Sequence, residues 1–270
     1  SSFFASVDTL GKIDKSTLSQ KTLMELFIEG FKNTEELFGE LGMPDDIFEW
    51  KNVTLNDNEE VIEINWAGYD FKGSLAAQWL PETVEKVDLE LDSLEGTLDC
   101  ASLPVALIDC CLECNKLSGS LHLHGLPSKL KFMSLADNRF SGSISLVELP
   151  EMLVFLHLAR NTLSGSVDLD HLPQGLEDLY LSGNSFSGTV SLIHLPQALK
   201  HLSLDENRFS GTLNLTRLPT GMSDLLLSDN DFDGETDFSK LPGSLNILGI
   251  TNLEISGDMS AVKINEHFDF

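Results

Sequence analysis

The sequence predicts a solenoid of stacked repeats, and three in-phase columns carry that prediction. Leu-Pro recurs every 23 residues, at Leu80-Pro81, Leu103-Pro104, Leu126-Pro127, Leu149-Pro150, Leu172-Pro173, Leu195-Pro196, Leu218-Pro219 and Leu241-Pro242, leaving only Pro44 outside the register. A glycine column runs through Gly73, Gly96, Gly119, Gly142, Gly165, Gly188, Gly211, Gly234 and Gly257 without exception. An asparagine column holds Asn115, Asn138, Asn161, Asn184, Asn207 and Asn230, with Tyr69, Asp92 and Leu253 at its ends. A fixed period of this size means stacked supersecondary units, each touching only its neighbours. Such stacks present a surface rather than a closed pocket, which disfavours an enzyme.

Residues 1–57 lack the period. Lys15 to Leu41 has helical spacing through Leu23, Leu26, Phe27, Phe31, Leu37, Phe38 and Leu41. Ser16 or Thr17 is placed to cap its start. One helix or two short ones satisfies the pattern, and its apolar face is expected to close the first coil, whose edge is otherwise open. A partner-binding helix is the alternative.

Residues 58–264 divide into nine units, followed by a tail at 265–270. In the unit from Pro127, Leu130 to Asn138 reads L-x-x-M-x-L-x-x-N. Its two-residue alternation is strand-like, and it ends in Asn, a residue suited to turns. The glycine column implies a backbone position needing positive φ or close approach. A buried Asn amide can bond backbone groups left open in its own coil and its neighbour, so the stacked side chains form a ladder. Phe71, Phe140, Phe186, Phe209 and Phe232, with Leu94, Leu117, Leu163 and Ile255, fill one inward column as a core spine. Burying each is worth roughly 1.5–3 kcal/mol.

The pattern L-x-x-L-x-L-x-x-N-x-L/F-S-G-x-L is similar to the leucine-rich repeat in its plant-type subclass, and especially to the Leu-Pro-rich repeats of protist, kinetoplastid-like proteins. The resemblance covers about three-quarters of the chain. It implies an α/β fold: a right-handed leucine-rich repeat solenoid, or horseshoe. A parallel β-sheet would line its concave side, with short strands, turns and 3₁₀ pieces on the convex side and a helical amino-terminal cap. The segment Phe48-Glu49-Trp50-Lys51-Asn52-Val53-Thr54-Leu55 resembles the plant-type cap C-x-W-x-G-V-x-C. Phe48 and Leu55 stand at the two cysteine positions, so the cap disulfide cannot form and packing is expected to replace it.

Net charge is −26 and the pI near 4.4. This disfavours nucleic acid and anionic membranes and suits a basic partner. No apolar run approaches the length of a membrane span. The chain begins at Ser1 rather than Met, which reads as a processed or trimmed product, and a leader removed before it stays open. Cys100 and Cys110 replace core leucines, while Cys111 and Cys114 are expected on the concave side as C-x-x-C. Four thiols in one cluster favour a reducing, intracellular (cytoplasmic) setting; zinc needs four ligands and is disfavoured. Sequons at Asn52 and Asn214 matter only in a secreted chain. Asp229, Asp231, Asp233 and Asp237 look like the start of a calcium loop, but Lys240 stands where the bidentate Glu belongs, so no metal and no cofactor are expected.

No catalytic constellation emerges. In the concave-face frame, Phe132, Phe155, His157, Tyr180 and His201 cluster at mid-solenoid, with Arg139, Arg160 and Arg208 along the turn edge. Exposed aromatics rimmed by charge are typical interface anchors. The sequence thus predicts a non-catalytic scaffold binding another protein. The alternatives are a secreted or surface recognition domain for peptide or glycan, and a structural subunit of a larger assembly.

Overall fold

The structure, a computed structural model, describes residues 14–38 and 42–260. Leu41 and Ile264, which the sequence placed at the ends of the helical stretch and of the ninth unit, lie outside these, as do residues 1–13 and 261–270.

Two sheets run the length of the molecule. The first contains parallel strands Val61–Asn65, Lys86–Asp88, Asp109–Cys111, Phe132–Ser134, Phe155–His157, Asp178–Tyr180, His201–Ser203, Asp224–Leu226 and Ile247–Gly249. Register partners differ by one repeat: Phe132 faces Phe155, which faces Asp178. The second sheet takes the short segments after the asparagine turn, from Lys72–Ser74 to Glu254–Ser256. Helix is confined to short pieces. The expected leucine-rich repeat solenoid is the fold.

In each three-residue strand of the first sheet the middle residue is buried, as at Met133, Leu156, Leu179 and Leu202, while the flanking residues face outward. Three-residue strands suffice because stacking supplies both hydrogen-bonding partners of every inner strand. The aromatic spine is continuous where phenylalanines meet: Phe186 and Phe209 stack with centroids 6.1 Å apart, and Phe209 and Phe232 at 6.3 Å.

The asparagine ladder forms as expected. Asn161 Oδ1 accepts from the Phe140 amide of the preceding coil at 2.9 Å. Its Nδ2 donates to Leu135, Leu158 and Ala159 carbonyls at 3.0, 3.2 and 3.2 Å. The same four bonds recur at Asn115, Asn138, Asn184, Asn207 and Asn230. At the first rung Asp92 substitutes, its Oδ1 accepting from Phe71 N at 2.9 Å.

Eight of the column glycines hold positive φ, Gly142 at +82° for example. Gly257 differs: its φ is not left-handed, and a side chain there is excluded because a Cβ would stand 2.2 Å from the Thr236 carbonyl oxygen.

The amino-terminal segment departs from expectation in three ways. Helix α1 spans Gln20–Ile28 and is capped by Ser19, whose side chain accepts from Thr22 N, not by Ser16 or Thr17. A short α2, Glu35–Phe38, follows, but between them Phe31–Lys32 is a strand, paired antiparallel with Lys72–Ser74. Two residues are too few to show a period, so the helical spacing ran through them. Third, Phe48 does not replace the missing disulfide by packing: it is 56% exposed. Ile47 and Trp50 are buried instead, with Trp50 against Phe38 at 4.9 Å and Trp66 at 6.4 Å. Phe27 stacks on Trp66, so the helix covers the first coil. Phe48→Ser is expected to change stability by less than about 0.5 kcal/mol, as a surface change does. A urea midpoint that dropped steeply would restore Phe48 to the core.

Candidate functional site

Alternation along each strand and register between strands fix the outward surface of the first sheet. One row runs Lys86, Asp109, Phe132, Phe155, Asp178, His201, Asp224; the next runs Asp88, Cys111, Ser134, His157, Tyr180, Ser203. Phe155, His157 and Tyr180 form a mutually touching set: Phe155–Tyr180 centroids are 5.7 Å apart, Phe155–His157 6.0 Å and His157–Tyr180 5.1 Å. Phe132 stands beside Phe155 and is 42% exposed.

Polar neighbours fix the rings. His157 Nδ1 lies 3.7 Å from Glu113 Oε2, which also accepts from Ser134 Oγ at 2.7 Å. Burial pushes the His157 imidazole down from its usual range, against the opposing pull of Glu113. Burial raises the Tyr180 phenol. His201 lies between two carboxylates, in close contact with Asp224 and 3.7 Å from Asp178. This clasp places His201 at the acidic flank of the aromatic set.

The arginines are dispersed. Arg139 and Arg208 begin strands of the second sheet, while Arg160 stands in the turn at φ +53° and meets Asp137 at 3.8 Å.

The cysteines are all free thiols. Cys100 and Cys110 are core residues. Cys111 projects from its strand as expected, 3.5 Å from Glu90 Oε2, whereas Cys114 sits in the turn at φ +55° and not on the strand face. Burial, and then Asp88 and Glu90, push the Cys111 thiol up to about 12, the protonated and weakly nucleophilic form.

Asp229, Asp231, Asp233 and Asp237 do not converge. Asp231 and Asp233 are exposed along one strand, Asp229 accepts from Asn252 Nδ2 at 2.6 Å, and Asp237 caps Ser239. Among the described residues, potential ligand atoms gather instead as Asp88/Glu90/Cys111 and Glu113/Cys114/Asp137, each set within 4.8 Å.

A cleft of about 240 Å³ opens on this face, lined by Asp109, Cys111, Phe132, Ser134 and Phe155. Larger hollows lie elsewhere: about 520 Å³ across the backs of the coils from Ile144 to Ser191, and about 650 Å³ between the amino-terminal segment and Pro81–Thr83. Neither combines aromatic rings with charge in this way.

The chain folds as a leucine-rich repeat solenoid, and the outward surface of its first sheet carries this aromatic set. Among solved structures it is similar to the plant peptide hormone receptor RGFR1 in complex with RGF2, at 26% identity over 73% of this chain and 35% of that one, with a TM-score of 0.59. It is also similar to the LRR ectodomain of the plant membrane receptor kinase GASSHO1/SCHENGEN3 from Arabidopsis thaliana, in complex with CASPARIAN STRIP INTEGRITY FACTOR 2: 22% identity, 88% of this chain, 30% of that chain, TM-score 0.70. A third is the Arabidopsis receptor kinase HAESA in complex with the peptide hormone IDA and the co-receptor SERK1, at 20% identity, 91% and 52% coverage and a TM-score of 0.51. The chain spans about a third of the length of the first two and about half of the third. No family model and no curated protein matches the sequence. Among the described residues, no helix is long and apolar enough to cross a membrane.

Proposed function

We propose that this chain is a non-catalytic recognition module that binds another protein or peptide through the concave face. The observation that carries the reading is the outward-facing aromatic set on adjacent strands, with Phe132 exposed and Phe155, His157 and Tyr180 half-buried against one another. Large amphipathic rings held rigidly by a sheet lose little entropy on binding and supply most of an interface's energy. The surrounding carboxylates favour a basic partner and disfavour nucleic acid. His201 extends the patch toward the acidic side, while Arg139 and Arg208, on the second sheet, and Arg160, in a turn, stand apart from it.

The setting follows from the same reading. Likeness to a peptide hormone receptor and to a receptor ectodomain favours a secreted or surface recognition domain over an intracellular scaffold. The exposed sequon residues Asn52 and Asn214 are then acceptors for glycans.

The test is affinity capture from the native source, comparing the wild type with Phe155→Ala/Tyr180→Ala. Truncating two anchors is expected to weaken the retained partner at least about thirtyfold. Identical partners for both proteins would move the binding surface to the convex side or α1 and favour a structural subunit.

A further inference from the structure

Across four neighbouring strands one row of the first sheet reads acid, aromatic, aromatic, acid: Asp109, Phe132, Phe155, Asp178. The two acids are treated differently. Asp178 has His201 beside it at 3.7 Å. Asp109 forms no ion pair among the described residues, although Lys86 is its register partner. It lines the 240 Å³ cleft together with Phe132 and Phe155, and Asp88, Glu90 and Glu113 stand on the turn side. Burial raises the Asp109 carboxyl, and Lys86 opposes that rise. Its negative charge is therefore partly withdrawn from water and is offset by Lys86 on the next strand without a direct ion pair.

Strand spacing of about 4.8 Å sets the separation of these side chains. A flat cation lying over one ring can therefore reach the neighbouring carboxylate. Guanidinium suits both contacts: it stacks on aromatic faces and forks to carboxylates, and it is weakly hydrated, so entering a half-buried cleft costs it less than it costs an ammonium.

We propose that the Asp109–Phe132–Phe155 cleft is a subsite for an arginine side chain of the partner, with Asp109 as its specificity determinant. The inference rests on the recognition reading above and gives the partner its chemistry: an extended basic segment whose arginine is seated in the cleft and whose apolar neighbour meets Tyr180.

The whole chain, ¹⁵N-labelled, is titrated with Ac-Gly-Arg-Gly-NH₂ and with its neutral isostere Ac-Gly-citrulline-Gly-NH₂. Saturable amide shifts are expected in Asp109–Cys111, Phe132–Ser134 and Phe155–His157, with the arginine peptide bound about tenfold more tightly, as a charge-assisted contact gives. Asp109→Asn should bring arginine down to the citrulline level. Glu235→Gln, which removes an exposed charge of the second sheet, should leave the preference intact. Equal binding of both peptides, shifts spread over the acidic surface, no shifts at all, or a preference that survives Asp109→Asn would each overturn the proposal. The two readings separate cleanly. A native partner lost with Phe155→Ala/Tyr180→Ala while arginine shows no preference leaves the recognition module standing without this subsite. An Asp109-dependent arginine preference in a protein whose partners ignore the double alanine leaves the subsite standing without that module.

Discussion

Asn161→Ala is expected to lower stability by about 3–5 kcal/mol, because one truncation strands several buried groups at once. The amide is only 8% exposed and serves the Phe140 N–H and three carbonyls drawn from two coils. Alanine leaves all four without their partner, and each orphan costs about 1–3 kcal/mol before water enters to replace part of the loss. Leucine at the same position adds volume without restoring any bond and should be at least as damaging. Urea denaturation measures this, with the slope checked alongside the midpoint, since a solenoid losing one rung can begin to unfold in two pieces. A loss below about 1 kcal/mol would mean that the turn is held by its backbone pairs, such as Leu135 N to His157 O at 2.8 Å, and that the amide is incidental.

Asp92→Asn is expected to do the reverse, and to do it only above mild acidity. Asp92 occupies the first rung of the ladder and is 7% exposed. Its Oδ2, where Asn115 has the donor that reaches Leu89 O at 2.7 Å, is buried with no hydrogen-bond partner among the described residues. Burial pushes the carboxyl up to about 6, while the amides of Phe71 and Asp70 pull it down and the charges of Asp70 and Asp88 add a smaller upward push. The folded state thus holds a proton that the unfolded chain releases near 3.8. The stability linked to that proton is fully present below about pH 4 and is lost as pH rises through about 6. Asparagine carries its donor at every pH. The gain from the substitution should therefore be near zero at pH 4 and reach up to about 3 kcal/mol above pH 7. Thermal melts of both proteins at the two pH values give the difference directly, and a gain independent of pH would show that Asp92 is ionised in the folded protein.

Much of this architecture is legible in the sequence because repetition amplifies weak local signals. A single Asn before an apolar residue says little; six in phase identify a rung, and the structure places each amide on backbone groups of its own coil and its neighbour, as expected. The same logic separates the outward from the inward strand positions, which is why Phe155, His157 and Tyr180 could be grouped before their distances were known. Features that occur once are not amplified. The Phe31–Lys32 strand is hidden inside helical spacing, because a two-residue strand has no alternation of its own. Phe48 and Trp50 are both aromatic, and only the packing of the cap decides that Trp50 goes in and Phe48 stays out. The lack of a direct ion pair at Asp109 and the clasp around His201 depend on which neighbours come within ion-pair distance across the strands, and no column of letters records that.

The two sheets begin in the same manner. Val53–Leu55 lies antiparallel against Val61–Asn65, and Phe31–Lys32 lies antiparallel against Lys72–Ser74. This gives the molecule a polarity in how it can be lengthened. A duplicated 23-residue coil spliced between existing coils meets parallel neighbours on both sides and can extend the solenoid, displacing the aromatic row by one strand spacing. The same coil grafted ahead of Val53 meets strands running the wrong way and has no ladder to join. Variation in length within such a protein is therefore confined to one side of the first coil, and an engineer who wished to widen the recognition surface would insert coils after Leu80 while leaving the amino-terminal strands untouched.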